Sequence, residues 1–362
     1  MDDRWAWVAL ALTPEVGWNA VRYHELLSLG SPAELFRASH RALAGTLGGK
    51  LAAGLRGFAA GDAMEQQRAA AERSAARLVT LEDDEYPPAL KQITLPPPFL
   101  FVRGTIARDD ALAIAIVGSR RPTGYGLRMA ERLAGDLAAR GVTIVSGLAR
   151  GVDTGAHRGA LGAGGRTLAV LGSGVDIVYP PENRGLAREV MAAGAVVSQF
   201  PMGTPPLPQH FPIRNRVIAG LTLGTVVVEA AERSGALITA RLAGEIGREV
   251  YAVPGNVSSP VSQGTNQLIQ DGARLVRDWE DVVAELAPMW RAAVRPVAVP
   301  EDAAAAADAG GAVLPLLGEE PVAIDHVIER TGLPAGEVAA SLTELELRGL
   351  VRRLPGQRYV RS

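Results

Sequence analysis

Two arginines flank an asparagine in the segment Phe211 to Gly220, FPIRNRVIAG, inside a run from Val190 to Val228 that holds no Asp or Glu. Guanidinium groups with no carboxylate nearby in the chain require an anion from elsewhere. An arginine keeps its charge near neutral pH and grips phosphate at two points, so Arg214 and Arg216 are expected to act as a fork on a phosphate. The formal net charge of −2 conceals an imbalance: residues 111–228 carry twelve arginines against six acids, a surplus of six positive charges that leaves −8 on the rest. A nucleic-acid backbone is drawn to such a segment, with an affinity that falls as salt rises.

Four glycine-bearing turns supply further candidates. The apolar run Leu112 to Val117 ends in GSRRPTGYG, where Gly118 lets backbone approach a ligand and Ser119 offers a hydroxyl. Arg120 is expected at the start of a helix, whose free N–H groups favour an anion. Neither the dinucleotide pattern GxGxxG nor the P-loop pattern is present, so a nucleotide cofactor is not expected. The next run ends in SGLARGVDTGAH. Ser146 is the one nucleophile nearby, Gly147 permits close approach, and Asp153 and His157, four residues apart, are expected to share a helix face and hydrogen-bond, shaping the loop rather than catalysing. In LGSGVDIVYPPEN, Gly172 and Gly174 again imply close backbone approach, and Tyr179, Pro180 and Asn183 a fixed loop. In VVVEAAERSGALITA, Ser234 and Gly235 open a helix with another anion-suited N-terminus, beside Glu229. Ser146, Gly147, Gly172, Ser234 and Gly235 are thus secondary anion-binding candidates.

These turns need a scaffold, and the chain supplies one. Apolar runs at 112–117, 142–146, 167–171, 195–198, 225–229 and 250–253 alternate with helical patterns, which predicts an α/β fold with a Rossmann-like, mostly parallel sheet covered on both faces. Such sheets bind ligands at the carboxyl ends of their strands. Residues 1–75 show helical spacing and predict a compact helical domain, expected to be SAM-like; its segment TPEVGWNAV is similar to a helix-hairpin-helix turn with an incomplete glycine pattern. The α/β domain spans 76–288, its proline-rich start from Leu78 to Gly104, bounded by two short β-like runs, expected as a connector laid against it. Residues 289–311, rich in Ala, Pro and Val, predict a flexible linker. Residues 312–362 run helix, turn, helix and a two-stranded wing about Pro355 and Gly356, the order of a winged helix. Glu337, Glu344 and Glu346 on its second helix repel phosphate, which favours a protein contact over duplex reading.

Composition closes other routes. The chain has 362 residues, no cysteine and five scattered histidines, so disulfides, thiolate metal sites and a cysteine nucleophile are excluded and no metal is expected. No apolar run reaches the roughly 20 residues of a membrane span. The start MDDRWAWVALAL lacks a basic n-region, which predicts a cytoplasmic protein.

Taken together, GSR, SGLARGVD, the GxGxDxxYPxxN loop, FPxRNRxIAG, VVVEAxxxSGALITA and AVPG followed by QGTNQLIQDGA stand in the order and spacing of the DNA-processing protein family DprA, also called Smf. The resemblance covers about Leu81 to Leu286, with the helical front and winged-helix end matching longer members. It implies a homodimeric protein of natural transformation that binds single-stranded DNA without sequence preference, protects it and helps load the RecA recombinase, with no catalytic step and no cofactor. Carried over by motif, the DNA-binding residues are Gly118, Ser119 and Arg120 with Phe211, Arg214, Asn215 and Arg216. The arginines would hold the backbone while the ring stacks on any base. Relatives carry a basic residue shortly before that Phe where this chain has Pro208 and Gln209, leaving His210 as a partial substitute. Gln199 stands where a Glu is expected, which would make the pocket more positive. The alternative is a nucleotide phosphoribohydrolase on a related sheet, whose PGGxGTxxE hallmark is replaced here by ERSGALITA.

Overall fold

A computed structural model describes residues 3–13, 16, 20–58, 60–296, 311–318, 320–347 and 349–361. The chain divides into two compact units, residues 1–295 and 296–362.

In the first unit, helices α1 (Asp3–Leu12), α2 (Ala20–Leu27), α3 (Pro32–Arg37), α4 (His40–Leu47), α5 (Gly49–Gly57) and α6 (Ala60–Arg73) precede the sheet. Ser31 caps α3 through a reciprocal bond pair with Glu34, which ends the preceding turn. The TPEVGWNAV segment lies largely outside the described residues. Strands β1 (Arg77–Thr80) and β2 (Phe99–Gly104), with the short α7 (Pro88–Lys91) between them, follow. The stretch expected as a connector is therefore part of the sheet: β1 pairs antiparallel with β2, and β2 antiparallel with β6. Its alternating pattern explains why. Phe99 and Phe101 face the core beneath the helical front, with Trp7 and Leu10, while Leu100 and Val102 enter the core on the other side.

Parallel strands β3 (Ala113–Val117), β4 (Thr143–Ser146), β5 (Thr167–Val170), β6 (Ala195–Ser198), β7 (Gly224–Val227), β8 (Glu249–Ala252) and β9 (Arg274–Leu275) complete it. They alternate with α8 (Gly124–Ala139), α9 (Val152–Gly162), α10 (Arg184–Ala193), α11 (His210–Gly220), α12 (Gly235–Glu245) and α13 (Gln263–Gln270). The strand order is β1-β2-β6-β5-β4-β3-β7-β8-β9. From β3 the chain winds outward through β4, β5 and β6, then crosses back by α11 to lay β7 on the other side of β3. That reversal creates a switch point between β3 and β7, where parallel sheets open a crevice. Each central strand is apolar on both sides: Ile114 and Ile116 join one core, Ala113, Ala115 and Val117 the opposite one. The expected linker begins with structure, since α14 (Trp279–Ala284) is followed by α15 (Pro288–Ala293), and Trp290 and Val294 pack on the sheet's core. Residues 297–310 lie outside the described residues.

In the second unit, α16 (Ile324–Thr331) and α17 (Ala335–Leu347) pack Val327, Val338, Leu342 and Leu345 against Val351 and Tyr359. The wing, β11 (Val351–Leu354) and β12 (Arg358–Arg361), gains a third strand, β10 (Val322–Ala323), on the free side of β12. Glu337 and Glu346 are exposed on α17 and Glu344 is half-buried.

Candidate nucleic-acid interface

A cleft of about 580 Å3 opens at the switch point. Gly118 and Arg120 reach it from the turn after β3, Tyr179 from the loop after β5, Phe211, Arg214 and Asn215 from α11, and Ser234 and Gly235 from the start of α12. Four segments far apart in sequence thus meet where the strand order reverses.

Phe211 is the centre of this arrangement. It is half-buried, with the Arg120 guanidinium 5.3 Å and the Arg214 guanidinium 5.8 Å from its ring centroid. Tyr179, 37% exposed, tilts against it at 6.1 Å. The ring has room because of Gly172, where a β-carbon would stand 2.9 Å from Phe211 Cδ1. Arg120 is exposed, and Ser119 fixes the turn that projects it by accepting the Arg121 N–H at 3.1 Å.

Arg214 is a different kind of group. Its guanidinium is buried beneath the ring and donates to the carbonyls of Gly147 at 2.6 Å and Val170, closing the carboxyl ends of β4 and β5, while Nε donates to Asn215 Oδ1 at 3.1 Å. A side chain at Gly147 would occupy the guanidinium's place, so that glycine serves the arginine rather than a ligand. Burial lowers the Arg214 pKa to about 10 against the opposing pull of Asp153, with Arg120 adding to the drop; it remains a cation at neutral pH. The buried Asp153 carboxylate accepts from the N–H groups of Gly147 and Ala149, and its pKa is raised by burial despite Arg214.

Several expectations are corrected here. The FPIRNR segment lies in helix α11, and residues two apart on a helix lie about 200° apart. Arg214 and Arg216 therefore form no fork: Arg216 donates to Thr94 O and lines a separate, mainly apolar pocket of about 310 Å3, where Gln199 also lies. His210 is buried, stacked on Phe200 at 4.7 Å, with Nδ1 3.0 Å from Pro205 O, so its ring is turned from the cleft. Ser146 is also buried and donates to Ile116 O. Asp153 and His157 do not bond to each other. The Thr167 hydroxyl spends its one proton on Ile144 O, so His157 Nδ1 must donate to it across 2.7 Å. Burial, with Arg214 second, holds His157 down to about 3, and its Nε2 has no partner. The helix that follows Arg120 begins only at Gly124, and the buried Glu229 carboxylate already accepts the Thr123 N–H and hydroxyl there. At α12, by contrast, Ser234 caps Ala236 N–H at the rim of the open cleft.

Sequence reasoning missed Tyr179 as a cleft aromatic, although its place just beyond a strand's carboxyl end was the signal. A larger cleft, about 960 Å3, lies beside α12 and α13, but its charged lining is Glu232, Glu249 and Asp271 against Arg241. It does not suit an anion.

The DNA recombination-mediator protein A family model matches residues 77–287 and the DprA winged helix domain model residues 297–357. Protein Smf of Escherichia coli is 43% identical over 78% of this chain and 77% of its own length. DNA processing protein DprA of Streptococcus pneumoniae is 44% identical over 56% of this chain and 72% of its own. The X-ray structure of that protein superposes with a TM-score of 0.65 at 34% identity, covering 79% of this chain and 99% of the other. The structure of Helicobacter pylori DNA processing protein A, described for its single-stranded DNA binding mode, gives 0.52 at 30% identity over 58% and 95%.

Proposed function

The chain belongs to the DNA recombination-mediator protein A family, and from that premise we propose that it binds and protects single-stranded DNA irrespective of sequence and passes it to the RecA recombinase. It does so as a cytoplasmic homodimer without a catalytic step. The observation that carries the reading is the exposed Arg120 guanidinium beside the Phe211 ring, in an open cleft at the switch point. A phosphate takes the guanidinium in two-point contact, and an unpaired base stacks on Phe211 and Tyr179, whose faces do not distinguish bases. Gly118 and Ser119 shape the approach, Asn215 links α11 to the mouth of α12 through Gly235 O, and the buried Arg214 supplies positive potential through space. A duplex, with its bases turned inward, gains no stacking.

Asp153 and His157, the pair nearest to an acid and base, do not bond to each other: Asp153 Oδ2 accepts from two backbone N–H groups and His157 is fully buried with Nδ1 on Thr167, which speaks against a phosphoribohydrolase. Anisotropy titration with labelled oligothymidylate tests the proposal. Arg120→Ala is expected to lower affinity about tenfold and reduce the salt slope by about 0.7, with the thermal midpoint unchanged because the side chain is exposed. Affinity equal to the parent's at every salt concentration would remove Arg120 from the site.

A further inference from the structure

A second cationic surface lies across one loop from the cleft. Arg103 of β2 and Arg184 and Arg188 of α10 line a depression of about 360 Å3 together with Asp176, Ile177 and Val178. Arg184 and Arg188 are exposed and one turn apart, so they share a helix face, and Arg103 is half-buried beside them. Among the described residues none of the three has an ion-pair or side-chain hydrogen-bond partner. The acids close by do not neutralise them. Both Asp176 oxygens accept from Gly203 N–H, at 3.0 and 3.1 Å, and Glu182 is held by Arg150. Glu189, exposed, lies about 100° around α10 from Arg188. Three guanidinium groups around a hollow, facing one engaged carboxylate, leave positive charge available to an anion from outside the chain.

Position identifies which anion. Ile177 and Val178 form part of this depression, and the next residue, Tyr179, lines the cleft against Phe211. The two cationic surfaces are therefore the two sides of a single loop. We propose that the Arg103, Arg184 and Arg188 depression is a second backbone site for the same single strand, which leaves the Phe211 cleft over Tyr179 and sets its following phosphates on these arginines. The site adds reach without adding sequence preference, since it has no exposed aromatic in its lining and meets only the backbone. This inference rests on the reading of the cleft given above.

The test compares oligothymidylates of about six nucleotides, which fill the cleft alone, with those of about twenty, which extend past the loop. The Arg184→Ala/Arg188→Ala variant is expected to bind the longer probe about tenfold more weakly, with the salt slope reduced by about 1.4 for two lost phosphate contacts, and the shorter probe as the parent does. Arg184→Lys/Arg188→Lys restores most of the longer-probe affinity, because a backbone contact needs charge more than fork geometry. Unchanged affinity for the longer probe, or an equal loss at both lengths, overturns the second site. Arg120→Ala in parallel separates the two readings: if it leaves short-probe binding intact, the cleft assignment fails, whereas a short-probe loss there with no effect from the α10 pair defeats only the second site.

Discussion

At the amino ends of β3 to β5 an arginine meets a carboxylate; at the carboxyl ends of β4 and β5 another meets only carbonyls. Arg166 binds the buried Asp110 through Nε at 2.8 Å and Nη2 at 2.9 Å, and Asp110 also accepts from Thr143 Oγ1 and Ala107 N–H. That charge is cancelled inside the fold. Arg214 is buried as deeply as Asp110, yet its direct partners are neutral oxygens and Asp153 spends its hydrogen bonds on backbone. The two ends show how one residue type divides its labour. Hydrogen-bonded to an internal acid, an arginine is structural; bonded only to neutral oxygens, it leaves positive potential at the crevice, where Arg120 stands exposed and, on the reading proposed above, would meet a phosphate.

Removing Asp110 is expected to have the largest effect on this contrast. Asp110→Ala takes away the ion-pair partner of Arg166 and leaves the Thr143 hydroxyl and the Ala107 amide without their acceptor, and should lower the unfolding free energy by about 3 kcal/mol in denaturant titration. Short-oligonucleotide affinity should hold in the fraction still folded, and a parallel fall in affinity would break the division between the two ends. Next, and of comparable size, Arg214→Met leaves two strand-end carbonyls and Asp153 without their cation, for about 3 kcal/mol. Here affinity should fall as well, because the cleft loses potential; unchanged binding in folded protein would make Arg214 as purely structural as Arg166.

The smallest effect is acid sensitivity. His157 titrates near 3 folded against 6.5 for an ordinary histidine, so unfolded chain binds the proton first as pH drops. Its contribution is complete above about pH 6.5, is lost progressively below, and reaches about 2 kcal/mol of lost stability by pH 5. Thermal midpoints across that range, compared with a His157→Gln variant that lacks this component, measure it. Because Arg214 is the second cause of the shift, Arg214→Met should also move the His157 titration upward in NMR.

The strand runs, the glycine turns and the helix-wing order were legible because apolar periodicity encodes which face is buried, and the observed strands fall within a residue or two of the expected ones. Arg120 and Phe211 were legible as motif residues. The pairing of Arg214 with Arg216 misled, because two residues separated by one position in the chain point apart once the segment coils into α11. His210 misled for the same reason, its ring being carried onto Phe200. The start of the α/β region reads as a connector because prolines fill the stretch between its two β-like runs, and only the pairing of β2 with β6 reveals those runs as part of the sheet.

What the sequence by itself determined was the supply: arginines concentrated in residues 111–228, an acid-free run, and turns placed after each strand. Which of those arginines are free was decided by tertiary structure alone. Asp110 lies 56 positions from Arg166, and Gly147 lies 67 from Arg214, so neither partnership leaves a local trace in the chain. Electrostatic neutralisation acts over a few ångströms in space, and only the folded sheet sets those distances.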